Sequence, residues 1–461
     1  MKKFLKYFAL TLLLLIVVAI VYILATFPPI MTGMAAKTMC SCVFVTNREP
    51  ASVVEQEFQV FPGMPSLPYE VNREDSSVSV TMFWKTGKAI YRKGLGCTLL
   101  AEMDEEAVRA QPVRRPQPAI TNQDTIAWPS GNLVKDTLLA GIDYGKVREA
   151  VNQAFADVDP KNPVFTHGVA VVYDGHLIAE QYATGYTYNS RMMGWSMTKS
   201  ITNALIGILV KEGKLKIDEA APVAEWRNDE RSKITLNNLL QASSGLEWSE
   251  SYFSPTADFH QMFIKSDDKA AYAAARKLKY EPGTFFQYSS GTTNILSRII
   301  RQTVSDSAYY RFPYEKLFHR IGMNTAIIEP DASGTFVASS YSFASARDWA
   351  RFGLLYLNDG IWNGERILPE GWVKYSTTPA PSAKARQYGA QIWLNLGDPY
   401  NPQVVEYPGL PAEAIIFDGF EKNFVVIVPS KKLVVVRLGV THNKNFSLAN
   451  LVNGIIAGLP N

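Results

Sequence analysis

The chain is poor in cysteine and histidine, with three Cys and five His in 461 residues. Three cysteines are too few for a disulfide-built scaffold. The histidines and cysteines show no paired ligand spacing, so no metal and no other cofactor is expected. A strong charge bias is also missing. Lys+Arg 46 against Asp+Glu 43 leaves a formal net charge of +3, which gives no reason to expect a nucleic-acid partner. There is no internal repeat. Past the N-terminal run, no apolar stretch reaches the ~18 uncharged residues of a further membrane span. With 47% hydrophobic and 19% charged residues, disordered and collagen-like chains are excluded as well. What is present is enough apolar material for a large folded core.

The N-terminus stands apart. Lys2, Lys3 and Lys6 precede residues 7–27, YFALTLLLLIVVAIVYILATF, an uncharged run of 21 residues. A helix needs ~20 residues to cross the hydrocarbon core, whereas a secretory apolar region is usually ~7–15. The run therefore predicts a retained transmembrane helix, stopped by Pro28 and Pro29. A cleavable signal, with Met34-Ala35-Ala36 as its small-residue site, is the alternative. The lysines should stay cytoplasmic and the rest of the chain should be exported. This describes a single-pass inner-membrane protein with its body on the periplasmic or extracytoplasmic side. In that oxidising setting Cys40 or Cys42 can bridge to Cys97. Cys40–Cys97 is the pair carried forward, worth roughly 2–4 kcal/mol. Three unpaired thiols are the alternative. No lipobox-like sequence precedes Cys40.

Four segments are expected: an anchor at 1–30, a juxtamembrane β-rich arm at 31–110, a connector at 111–136 and a catalytic body at 137–461. Short alternating runs at 43–45, 77–84 and 89–91 read as strands in the arm. Pro112, Pro116, Pro118 and Pro129 mark the connector. In the body, Asp174-Gly175 turns a hairpin between 169–172 and 177–182. Helical runs fill roughly 197–380. Strands return at 414–417, 424–428 and 433–438, and a helix follows at 446–457. The expected fold is α/β, with an antiparallel sheet built from both ends of the body, flanked by helices, and a mostly helical inserted region.

The chemistry begins at Gly194-Trp195-Ser196-Met197-Thr198-Lys199. Ser196 and Lys199 are three apart at the start of an apolar helix, so their side chains can meet. The helix N-terminus favours a developing alkoxide. A lysine in a dry site loses basicity and can act as a base. The string S-x-x-K is weak alone, because Ser266-Asp267-Asp268-Lys269 repeats it. That second copy reads as a solvated helix start capped by Ser266. Tyr288 lies in Pro282-Gly283-Thr284-Phe285-Phe286-Gln287-Tyr288-Ser289-Ser290-Gly291, at a loop–helix junction. There a phenol can shuttle a proton or simply pack in the core.

The order of S-M-T-K, then P-G-T-x-F-x-Y-S-S-G-x-x-N, then closing strands resembles the serine hydrolases of the β-lactamase fold. The family includes class C β-lactamases, D-Ala-D-Ala peptidases, family VIII esterases and 6-aminohexanoate-oligomer hydrolases, and the chain is most similar to the last branch. Leu239–Leu246, Tyr388-Gly389 through Trp393, and Val428-Pro429-Ser430 add to the resemblance, which covers roughly 140–460. It implies that Ser196 is the acylated nucleophile and that Lys199 and Tyr288 share its proton. It also implies an oxyanion hole from the Ser196 N–H and one N–H near Phe420–Lys422. Ser290, Gly419, Phe420 and Glu421 would contact the substrate. Tyr356-Leu357-Asn358 imitates a Y-x-N motif without the P-G-T lead. One departure stands out. Where relatives carry K-T-G or H-x-G, this chain has Gly419-Phe420-Glu421-Lys422-Asn423, and Lys422 is expected on the strand face of Phe420. Carboxylate recognition loses its cation there, while ester or neutral-amide cleavage stays open.

The expected function is an anchored, exported serine hydrolase acting on a small-molecule ester or amide. A non-catalytic envelope binding or sensing module and a β-lactamase or D-Ala-D-Ala peptidase are the alternatives. His167 and His176 are expected to be structural. His442, Trp195 and Trp393 are left between site and core. The oligomeric state stays open.

Overall fold

The computed structural model describes residues 2–112, 116, 122–135, 138–401 and 403–460. Parts of the expected connector at 111–136 lie outside them. The architecture is mixed α/β, with antiparallel sheets and many helices. The central sheet has six strands in the order Trp393–Leu394, Ile415–Gly419, Asn423–Val428, Leu433–Gly439, Thr166–Tyr173, His176–Tyr182. Every neighbouring pair is antiparallel. The Leu433–Gly439 and Thr166–Tyr173 pairing joins the two ends of the body.

Alternating side chains on these strands enter two different cores. Ala170, Val172, Val425, Ile427, Val434 and Val436 pack into one, whereas Val169, Val171, Val426, Val428, Leu433 and Val435 pack into the other. Burial on both faces explains why the sequence there is an unbroken apolar run rather than an alternating one. On one face the helix Ala346–Leu357 lies so close that a Cβ on Gly353 would sit 2.6 Å from Val434. On the other, the helices Tyr144–Gln153 and Leu448–Ile456 pack together through Ala150, Val151, Leu451, Val452 and Ile455.

The N-terminal region departs from expectation. One helix runs Lys2–Cys40, through Pro28 and Pro29, and continues as a π-helical turn at Ser41–Val45. The prolines remove two backbone donors, but packing downstream carries the helix onward. Ile30, Met31, Ala35, Ala36 and Met39 are buried in the same core as the central helices. Residues 43–45 are helical, not a strand, and this turns Val43 into that core and Val45 into a smaller cluster with Ile327 and Phe343. The first part of this helix is exposed, with Phe4, Leu14 and Ile23 at 72%, 63% and 55%. It is long and apolar enough to cross a membrane, and a signal sequence would meet the same description. The sheet of this region has four antiparallel strands, β1 (Tyr69–Asn72), β2 (Ser77–Met82), β3 (Lys85–Arg92) and β4 (Gly96–Leu100). Cys40 and Cys97 form a disulfide, and Cys42 is a buried free thiol.

A buried ion pair fixes this helix to the body. Lys37 binds Glu329, and Glu329 also accepts from Ser41 Oγ at 3.0 Å and from the Cys97 N–H at 2.6 Å. The Lys37 ammonium stands 3.7 Å from the Tyr341 ring centroid. Removing one partner leaves an unpaired buried charge, so Glu329→Gln should cost about 3–5 kcal/mol. Urea unfolding of the full chain in detergent would measure it. A loss below ~1 kcal/mol, the range of an exposed pair, would overturn this account.

Candidate active site

Ser196 sits in a short 3-10 turn, Trp195–Met197, that feeds directly into the helix Thr198–Lys211. The turn is tight. Gly194 has no room for a side chain, since a Cβ would lie 2.5 Å from the Trp349 ring. Trp195 adopts φ +48°, a strained conformation for a bulky residue. Contacts on both sides hold it. Its indole N–H donates to Glu421 Oε2 at 2.8 Å, and its carbonyl accepts from Thr198 Oγ1 at 2.6 Å. Being in the first helical turn, the Ser196 N–H has no intrahelical acceptor.

The helix after Ser196 is buried from Thr198 to Leu209, so Lys199 has no route to solvent and is 2% exposed. Its Nζ donates to Ser196 Oγ at 3.1 Å, Ser290 Oγ at 3.2 Å and the Ser339 carbonyl at 2.9 Å. Burial lowers its pKa to about 8, against the opposing pull of the Glu250 and Asp418 carboxylates. Glu250 acts through Ser290: it accepts from Ser290 Oγ at 2.5 Å and from the Ser290 N–H at 2.9 Å. Asp418 accepts from the Tyr407 hydroxyl at 2.6 Å, and burial lifts its own pKa to about 7.

Tyr288 covers the ammonium, with its ring centroid 4.7 Å from Lys199 Nζ. Trp393 packs 5.1 Å and Tyr388 5.9 Å from its ring. Burial pushes the Tyr288 phenol well above its ordinary pKa, with Ser196 as a hydrogen-bond partner that opposes the shift. Thus Ser196, Lys199, Tyr288 and Ser290 come together from segments up to 94 residues apart in number. Chemically, the group offers a hydroxyl, an amine of moderated basicity and a phenol that keeps its proton.

The segment 419–422 is placed differently from the strand expected of it. Gly419 ends a strand and packs on the turn that carries Ser196, so that a Cβ there would meet the Gly194 carbonyl at 2.3 Å. Phe420–Lys422 is a turn, with Glu421 and Lys422 both at φ +64°. The turn breaks the strand alternation: Lys422 is exposed while Phe420 packs 5.7 Å from the Trp195 ring. Glu421 faces inward behind Trp195, with burial raising its pKa to about 8. Phe420 borders a cavity shared with Ser196 and Trp195.

The second S-x-x-K is not solvated. Lys269 is 4% exposed and bonds the Ser266 carbonyl rather than its hydroxyl, while Asp268 caps the helix. Lys269 lies against Asp331, which accepts its backbone N–H at 2.9 Å, and the sequence carries no sign of that partner. Tyr356 is buried away from the site and donates to Asn203 Oδ1 at 2.6 Å. His167 stacks on Tyr186 and His176 lies near the hairpin turn. His442 is 3.9 Å from Glu421. Glu250, Asp418, Tyr252, Met34 and Phe61 all reach the site region without any spacing signal. Glu250 and Tyr252 come from one loop, Asp418 from the strand Ile415–Gly419, Met34 from the N-terminal helix and Phe61 from the segment that follows it.

The displaced pKa of Lys199 has a consequence for stability. Below about pH 8 the lysine is charged in both folded and unfolded chains, and its burial penalty is complete. Between about 8 and the unfolded value of ~10.4, the folded lysine loses its proton first and the penalty is relieved. Relative to Lys199→Met, the wild type should therefore gain about 3 kcal/mol of stability as pH rises from 7 to 11. Paired urea melts across that range test this, and parallel curves would contradict it.

Comparisons with known proteins identify the family of the chain. The Beta-lactamase family matches residues 161–450, more than half of the chain. A 6-aminohexanoate-dimer hydrolase from Paenarthrobacter ureafaciens is 25% identical over 228 residues, spanning 45% of this chain and 56% of that protein. A Bacillus anthracis structure provisionally described as a 6-aminohexanoate-dimer hydrolase is 25% identical, covering 75% of this chain and 86% of that one with a TM-score of 0.51. A family VIII carboxylesterase structure shares the fold at 16% identity, with coverages of 68% and 96% and a TM-score of 0.52. With the family match over residues 161–450, this chain belongs to the Beta-lactamase family.

Proposed function

We propose that the chain is a membrane-anchored, exported hydrolase that cleaves an ester or amide bond through an acyl-enzyme on Ser196. The observation that carries the reading is Lys199, buried and 3.1 Å from Ser196 Oγ, with a pKa near 8. About a tenth of such lysines are neutral at pH 7. A neutral Lys199 takes the Ser196 proton as Oγ attacks the carbonyl carbon. The tetrahedral oxyanion is met by the Ser196 N–H and by an N–H of the Phe420–Lys422 turn. Tyr288, kept protonated by its surroundings, donates to the leaving atom and is refilled from protonated Lys199. Water then cleaves the acyl-enzyme with the same residues in reverse roles.

Relatives named as an amide-dimer hydrolase and a carboxylesterase support an ester or amide as the substrate class. Phe420, where a cation would bind a carboxylate, favours a neutral substrate over a β-lactam or D-Ala-D-Ala peptide. The exposed apolar helix supports the anchor, and Lys3 and Lys6 at its start support a cytoplasmic N-terminus. The division into 1–30, 31–110, 111–136 and 137–461 belongs to the same reading.

A fluorophosphonate should label Ser196, and Ser196→Ala should abolish labelling. Lys199→Ala and Tyr288→Phe should each cut nitrophenyl-ester turnover by about 10²–10⁴. The labelling rate should rise with pH and level off above about 8. Glu250→Gln removes a charge that raises the Lys199 pKa, so it should move that midpoint lower. A wild type that neither labels nor turns over any ester would sink the reading. Ligand binding retained in Ser196→Ala alongside such inactivity would favour the sensing module instead. Protease added to intact spheroplasts should digest the body, and digestion only after lysis would contradict the topology.

A further inference from the structure

We infer that the acyl group is short, uncharged and apolar, and that residues outside the family-matched body set its length. This rests on the acyl-enzyme reading above. The cavity at Ser196 is lined by Trp195, Tyr252, Phe259, Phe420, Met34 and Phe61, with Ser340 as its one other polar residue. No charged side chain lines it. Its free volume is about 40 Å³, room for about three water-sized groups. A carboxylate pushed into such a site would lose its hydration without a partner. A wider groove of about 840 Å³ shares only Phe420 with this cavity and carries Glu406, Asp418, Lys422 and His442. The polar remainder of a substrate fits there.

Met34 and Phe61 both precede residue 161, where the family match begins. Met34 sits on the N-terminal helix one turn before Lys37, whose ion pair with Glu329 fixes that helix. Next to it, Gly33 lies close enough to Ile264 that a Cβ would approach to 2.5 Å. Phe61 meets the Phe253 and His260 rings at 6.0 and 6.4 Å. The part of the lining that Met34 and Phe61 supply is thus held by fixed contacts rather than carried on a loose loop.

A nitrophenyl ester series from acetate to octanoate, run on the full chain in detergent, tests this. The wild type should favour acetate and butyrate over octanoate by tenfold or more in kcat/KM. Met34→Ala and Phe61→Ala should raise the octanoate-to-acetate ratio by about tenfold, and Met34→Trp should lower the butyrate-to-acetate ratio. The ratios are internal to each variant, so a partly unfolded preparation still reports. A wild type that prefers octanoate, or ratios unchanged in all three variants, would overturn the inference. Complete inactivity of the wild type would instead overturn the hydrolase reading on which it depends.

A separate observation points to a second contact with lipid. The geometry assigns the tip of the β2–β3 hairpin, Phe83 and Trp84, to the membrane interface. The two rings are 64% and 63% exposed. Tyr69, 40% exposed, starts β1 at the same end of the sheet. β3 runs in the same direction as the N-terminal helix. Gly87 packs against the Thr32 and Gly33 backbone, and Tyr91 pairs with Cys97, which is bonded to Cys40. The start of β3 therefore points back toward the exposed apolar span. From Gly87 to Trp84 is ~10 Å of strand, equal to about seven residues of helix. The tip is then level with about residue 25, at the end of the apolar run. Two aromatics followed by Lys85 suit that depth.

The full chain in nanodiscs, carrying a fluorophore at Phe83→Cys or Trp84→Cys, would be exposed to lipids with nitroxide headgroups. Strong quenching is expected at both positions and little at Lys93→Cys, at the other end of β3. Equal quenching at Trp84→Cys and Lys93→Cys would overturn the assignment. Release of the whole chain by alkaline carbonate would overturn the anchor itself.

Discussion

The removal of Lys199 from water is the constraint on which the rest of this structure turns. An ammonium with no carboxylate in direct contact is costly to bury. The fold meets that cost with three neutral oxygens, on Ser196, Ser290 and Ser339. Glu250 contributes its charge at one remove, through the Ser290 hydroxyl. This keeps the amine from being locked in its charged form, as a direct ion pair would do. Dry walls are needed as well, and they come from Tyr288, Trp393 and the apolar helix on which the lysine stands.

The strain at Trp195 belongs to the same arrangement. A left-handed tryptophan before Ser196 is held by a carboxylate, Glu421, that is itself in a left-handed turn. Arg437 fixes that turn by donating to the carbonyls of Glu421 and Lys422 at 3.1 and 3.0 Å. The turn that carries Ser196 and the closing strands are thereby one unit. Arg48 and Glu57, from the region before the family match, reach the same buried cluster. The N-terminal region is part of the support of the site rather than an appendage.

The N-terminal helix has two unlike parts. Its first part shows apolar side chains outward, and its last part is buried in the protein core. The disulfide and the Lys37–Glu329 pair hold the second part in place.

The sequence by itself determined the elements whose cause is local. The hairpin turn at Asp174-Gly175, the apolar run at the N-terminus, and Ser196 and Lys199 one helical turn apart could all be read locally. Motif order made the fold family legible. Local reasoning failed wherever a distant partner decided the outcome. Pro28 and Pro29 did not end the helix, because Ile30 to Met39 have a core to enter. Lys269, flanked by charges, is buried because Asp331 receives its backbone. Phe420–Lys422 is a turn and not a strand, since Arg437 and Trp195 bind it from two sides. Only the tertiary structure could bring Glu250 to Ser290, or Met34 and Phe61 to Ser196. Those contacts cross tens to hundreds of residues and leave no trace in periodicity. Their strength comes from the exclusion of water, which exists only once the chain has closed around them.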